Sequence, residues 1–294
     1  MNYPVTSLSR QSADFLARQG TGCIHSVYHR TVNLLFGEQM LSLQAAGTVL
    51  SPISLITALE PEDFCRVCSS LSVGDPVTFG AETIRIAPDS DGVALEFLCR
   101  DAAIVDLNLY ARYYASLGPE CLNFLAEQMA AVIAPEQDGF AALFPTGKSG
   151  SAPDAGRDRD LASASMRIRD SIVLFRTESY TEAADSLTDL IGVGKGLTPS
   201  GDDFLCGVLA GLALTGKDAH PFTRRLRSHV RENLSRTNRI SAAFLRSASE
   251  GYFSRPVLRL LDLPNAGTIR RMFREIEHTS GMDTLCGILY AWSL

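Results

Sequence analysis

Long apolar runs are scarce in this chain. The longest, "FLCGVLAGLAL", stops well short of the roughly 18 to 20 residues that cross a bilayer. The opening "MNYPVTSLSRQSADFL" has neither a basic region leading into an apolar core nor a small-residue cleavage site, so no secretory signal is expected and the protein is expected in the cytoplasm. Cysteine is thin as well. Seven in 294 residues form an odd set, in a chain large enough to need no staples, which favours reduced thiols over a disulfide framework. The one close pair, "CRVC" (Cys65 to Cys68), has no second pair or nearby histidine, so buried or incidental thiols are expected there before zinc. Net positive charge is also lacking. Lys and Arg number 27 against 33 Asp and Glu, and a net charge of -6 argues against broad attraction to nucleic acid or anionic lipid.

What is present suits a globular chain. Hydrophobic residues are 46% and charged residues 20%, so neither disorder nor a fibrous repeat is suggested, and 294 residues fit two domains. From Gly22 to about Leu109 the pattern is strand-like. "CIHSVYHRTVNLLF" and "TIRIAPDSDGVALEFL" carry β-branched and aromatic residues at short periods, with a hairpin signal at Asp91-Gly92, and "GDPVTFG" supplies another turn and strand. His25, Arg30 and Asn33 fall in these strands and are read as structural. After Tyr110 the composition becomes helical, from "YYASLGPECLNFLAEQMAAVIA" to "DTLCGILYAW", interrupted by a polar loop from Pro145 to Asp160. Ser179 and Glu182 fit a capping box. The expected class is α+β: a β-rich domain over 1–109, a small antiparallel sheet or barrel, and then a helical bundle over 110–294.

One string occurs twice. "SGDDFLCGVL" from Ser200 and "SGMDTLCGIL" from Ser280 agree in Ser, Gly, the second acidic position, Leu, Cys, Gly and the final Leu. With Ser200 and Ser280 as N-caps, Asp203 and Asp283 would fall at the third helical position, close to a capping box. Gly207 and Gly287 then sit inside helices, where glycine costs about 1 kcal/mol against alanine, so each is expected to admit a close backbone neighbour. Leu205, Leu209 and Leu212 form a buried stripe.

Capping leaves a remainder. Asp202 has no counterpart, because Met282 takes its place, and neither has "GVGKGLTP" ahead of Ser200. A lysine among three glycines at a helix start gathers backbone N–H groups, a positive dipole end and a cation, which is the make-up of an anion site. Two ionised aspartates at the same place would oppose the anion. Three solutions stay open: Lys195 and an arginine outweigh them, a divalent cation is bridged, or the aspartates point away. No standard motif indicates a metal or cofactor. "GVGKGL" lacks the upstream strand and G-x-x-G continuation of a dinucleotide fold, and Gly196 follows Lys195 where a P-loop needs Ser or Thr. Arg224 to Arg246 carries seven arginines and one acidic residue, Glu232, a solvated face, subunit contact or substrate channel.

At "GKGLTPSGDDFLCG", "TNRIS" (Thr237 to Ser241) and "HTSGMDTLCG" (His278 to Gly287), the chain resembles the AllH family, a subunit of oxamate carbamoyltransferase from anaerobic allantoin degradation, a purine-catabolic route. "GCIHSVYHRTVNLLFG" is similar to that family's opening strand, and the resemblance covers most of the chain. Glu277 departs from it, standing where the family tends towards glycine. The resemblance implies a subunit working with two partners that resemble AllF and AllG, exchanging a carbamoyl group between oxalurate or oxamate and phosphate. Residue chemistry then selects the site. Lys195, Asp202 and His278 are the catalytic candidates, and Gly194, Gly196, Thr198, Ser200, Gly201, Asp203, Thr237, Asn238, Arg239, Ser280 and Asp283 the substrate-binding ones. The competing expectation is a non-catalytic assembly or regulatory module.

Overall fold

The computed structural model describes residues 2–80, 82–87, 93–110, 117–136, 138–143, 159–276 and 279–294. The hairpin at Asp91-Gly92, most of the Pro145 to Asp160 loop, and both Glu277 and His278 lie outside them. Two compact units emerge, Met1–Leu107 and Asn108–Leu294.

Nine described strands build the first unit: β1 (Asn2–Ser9), β2 (Gly20–Val27), β3 (Thr31–Phe36), β4 (Gln39–Gln44), β5 (Ser54–Thr57), β6 (Pro76–Phe79), β7 (Thr83–Ile86), β8 (Leu95–Leu98) and β9 (Ala103–Val105). They run in the order β5-β4-β3-β2-β6-β7-β8-β1-β9, and β1 also pairs with β5. The first eight therefore close into a barrel. Closure depends on one irregular strand: β1 lies beside β8 through Asn2–Pro4, then shifts register between Val5 and Ser7 and continues along β5 to Leu8. Hairpin-connected neighbours are antiparallel as expected, whereas β1 with β8, β1 with β9, and β4 with β5 are parallel, which makes the barrel mixed.

Alternation along the strands fills the interior. Val32, Leu34 and Phe36 of β3 join Leu41 and Leu43 of β4, Val77 and Phe79 of β6, and Ile84 and Ile86 of β7 in one buried cluster. Asn33, on the opposite face of β3, donates to Ser26 and accepts from Ser42, a structural role. Helix α1 (Arg10–Leu16) is capped by Ser9, whose Oγ accepts from Ser12 N at 2.9 Å. The CRVC pair sits on α2 (Pro61–Cys68), and all seven cysteines are free.

The second unit is helical: α3 (Pro119–Ile133), α4 (Arg159–Arg176), α5 (Tyr180–Thr188), α6 (Ser200–Leu214), α7 (Pro221–Glu232), α8 (Arg239–Ser249), α9 (Arg255–Leu258), α10 (Ala266–Arg274) and α11 (Ser280–Ser293). Ser179 precedes α5 but makes no side-chain cap, so the expected capping box there does not form. Helix α6 is buried on nearly every side, with Leu205, Leu209 and Leu212 fully enclosed, as a helix apolar all round requires. Most arginines of the 224–246 stretch tie the unit together. Arg225 pairs with Asp185, Arg227 with Asp218, Arg236 with Asp189, and Arg231 bonds Ser249. No helix among the described residues is long and apolar enough to cross a membrane.

Candidate functional site

The two copies of the repeated string become α6 and α11, which lie against each other with equivalent residues facing. A Cβ on Gly207 would stand 2.0 Å from the Thr284 carbonyl oxygen, and one on Gly287 would stand 2.0 Å from that of Phe204. Thr284 and Phe204 are themselves equivalent positions, so the contact repeats under a local two-fold. Gly211 meets Ala291 and Ile288 one turn further on, so the helices run parallel and begin at the same end. Both first-turn glycines also receive a carbonyl from the preceding segment: Gly201 that of Leu190, Gly281 that of Phe273. The segment from that carbonyl to the glycine is three residues longer in the first copy, and this longer loop carries Lys195.

Capping is not how these starts work. Pro199 is the N-cap of α6 and Thr279 that of α11, neither contributing a side-chain capping bond to the helix amides, and Ser200 and Ser280 are the first helical residues. The Pro199 carbonyl already accepts the amides of Asp202 and Asp203. Freed from capping, the side chains cross between helices. The Ser280 and Thr198 hydroxyls hydrogen-bond Asp203 and favour its ionised form, and those of Ser200 and Thr279 do the same for Asp283. Thr198 Oγ1 and Ser280 Oγ stand 2.9 Å apart. Asp283 also accepts from the Phe140 amide at 2.6 Å, over Gly139, where a Cβ would collide with the carboxylate.

Asp202 turns the other way. Its Oδ1 accepts from the Gly192 amide at 2.8 Å, and its Oδ2 from Thr237 Oγ1 at 2.5 Å and Ser241 Oγ at 2.6 Å. Burial pushes its acidity down and these three donors pull it back. Asn238 caps α8 through the amides of Ile240 and Ser241, and its Nδ2 donates to the Leu197 carbonyl. The loop is thus held at Gly192 and Leu197. Between them Gly194, Lys195 and Gly196 are exposed, with both glycines at positive φ. Neither glycine's amide nor the Lys195 ammonium has a hydrogen-bond or ion-pair partner among the described residues. Arg239 opens α8 and is exposed.

Burial raises the pKa of Asp203 well above the usual carboxylate range, helped by the neighbouring charges of Asp283 and Asp202, and raises that of Asp283 to about 6. Cys206 and Cys286 follow each aspartate by one turn, and burial, reinforced by those carboxylates, holds both as thiols. Among the described residues no group of three or more His, Cys, Asp or Glu is placed to hold a metal ion.

The structure brings Thr198, Ser200, Asp203, Ser280 and Asp283 to one place, with Gly192, Asp202, Thr237 and Asn238 as the frame beneath the loop. Ser241 and Thr279 lie within the quoted motifs but, like Phe140, are not among the site candidates named from the sequence. Ser241 stands one helical turn after Thr237, across the cap at Asn238, a spacing that was available as a signal; nothing local to Phe140 announces its bond.

A closed mixed barrel followed by a helical unit with a duplicated, asymmetrically elaborated helix start defines a two-unit α+β protein. Residues 4–103 match the AllH family N-terminal domain, and residues 190–292 match oxamate carbamoyltransferase subunit AllH. The chain belongs to the AllH family and is a subunit of oxamate carbamoyltransferase, a multi-subunit enzyme. No solved structure matches it.

Proposed function

We propose that the Gly192–Pro199 loop binds a small anion of the transfer reaction: carbamoyl phosphate, oxamate or oxalurate, or phosphate. One observation carries this reading: the exposed Gly194-Lys195-Gly196 crest, beside the N-terminus of α6, has amides and an ammonium with no partner among the described residues. Lys195 supplies the charge, and the amides of Gly194 and Gly196 act as directional donors. Donors of this kind stabilise the charge that develops on a carbamoyl oxygen and on a departing phosphate. Asp202 holds the crest in shape from beneath, a positioning role. Partners resembling AllF and AllG complete the enzyme.

The exposure of the crest, with Leu197 48% exposed beside Lys195, also supports a second reading, in which the loop docks on a partner subunit and the chemistry lies there. Titrating the chain with carbamoyl phosphate, phosphate and oxamate separates the two. On the first reading Lys195→Ala weakens binding by roughly tenfold to a hundredfold, the range of a charged hydrogen bond, and Cys65→Ala changes nothing. No binding by the isolated chain, with transferase activity in the reconstituted complex surviving Lys195→Ala, would establish the second.

A further inference from the structure

Two acids survive at equivalent positions in a duplication that otherwise keeps a serine, glycines, a cysteine and leucines. Asp283 is fully buried. Asp203 retains a little exposed surface, yet its Oδ2 is enclosed, and neither its Oδ2 nor that of Asp283 has a hydrogen-bond partner among the described residues. No Lys, Arg or His among those residues pairs with either carboxyl; Arg236 pairs with Asp189 and Arg274 with Glu136. Buried carboxylates without a cation do not persist as two ions, because desolvation and mutual repulsion both favour the neutral form.

Counting charge gives the remainder. Each helix N-terminus is equivalent to about half a positive charge, so the paired starts of α6 and α11 offset about one of the two carboxylates. About one negative charge is left, which a single proton removes. The other groups facing the pair do not supply it. Asp202 on α6 adds negative charge, while Cys206 on α6 and Cys286 on α11 stay as thiols. The turn Gly139–Leu143 contributes the Phe140 amide, α8 the Ser241 hydroxyl already given to Asp202, and the loop the Thr198 hydroxyl, with Lys195 exposed at its crest.

We propose that Asp203 and Asp283 form one acid pair that holds a single proton at neutral pH, and that an anion bound at the Gly192–Pro199 loop draws a second proton onto it. The second half rests on the anion-binding reading; the first does not. The arrangement also resolves the conflict between an anion site and two aspartates, since the pair meets the anion largely neutralised and becomes more so on binding. A transferable proton then lies beside the loop.

Infrared spectra of the full chain test the first half. At pH 7 the wild type shows the C=O stretch of a protonated carboxylic acid, the band fades as pH is raised towards 10, and Asp203→Asn or Asp283→Asn removes it. A missing band at pH 7, or one that survives both substitutions, overturns the pair. Should neither variant fold, the wild-type pH series decides alone. Calorimetry with oxamate, which does not titrate in this range, tests the second half. Oxamate affinity tightens by up to tenfold per pH unit as pH falls, with proton uptake seen in buffers of different ionisation heat. Proton release, a pH-independent affinity, or binding only with added magnesium overturns the linkage. If oxamate, phosphate and carbamoyl phosphate all fail to bind while the infrared band behaves as described, the loop reading falls and the pair stands.

Discussion

Three donors converge on one carboxylate at Asp202: an amide from the loop before α6 and two hydroxyls from the start of α8. Asp202→Ala would leave the Gly192 amide without an acceptor and release the α8 start, a loss of roughly 3 to 5 kcal/mol that urea unfolding would register. Asp202→Asn keeps the Oδ1 acceptor and should lose less. Asp283 adds a pH dependence, because burial raises its pKa to about 6. The unfolded chain ionises it near its ordinary value while the folded chain resists until about pH 6. Its contribution is therefore whole below about pH 4 and falls away up to pH 6, by about 3 kcal/mol in all. Asp283→Asn should remove that slope, so denaturation midpoints of variant and wild type diverge in the variant's favour between pH 4 and pH 7. At this scale the hydrogen-bond partners were not legible in the sequence. Thr237 and Ser241 lie far along the chain from Asp202, and only tertiary packing turns their hydroxyls towards it.

Between elements, the α6 and α11 pair rests on glycine. Gly207→Ala and Gly287→Ala each drive a methyl into a partner carbonyl at 2.0 Å, and since the two contacts are equivalent the losses should be similar, about 1 to 3 kcal/mol or more. Gly267→Ala is the control. It adds a Cβ to α10 at an ordinary 3.5 Å from Asn265, and thermal melts should show no loss. The close approach at Gly207 and Gly287 was legible from glycine inside an apolar helical run. The capping assignment was not, because a Ser-x-x-Asp string that occurs twice can satisfy its partners between copies as readily as within one. Length hid other elements. Strand β5 is four residues and buried throughout, and β4 is buried over its four central positions, so neither shows the alternation that reveals a half-exposed strand.

For the molecule as a whole, the change from short strand-like runs to helical ones was readable from composition. The strand that closes the barrel was not, since it is an opening segment, "NYPVTSLS", whose proline and hydroxyl residues do not read as a strand. Removing residues 2–9 should leave β5 and β8 as raw edges, and the truncated chain should elute as larger species than the full chain on size-exclusion chromatography.

That same strand sets a timetable for biosynthesis. Once synthesised, it must wait for residues 54–57 and then 95–98 before its two neighbours exist. Its hydrogen-bonding groups stay unclaimed through the synthesis of nearly the whole first unit, and closure is a late, long-range event in a topology that folds slowly for that reason. Crowding by nascent chains is most hazardous in that interval.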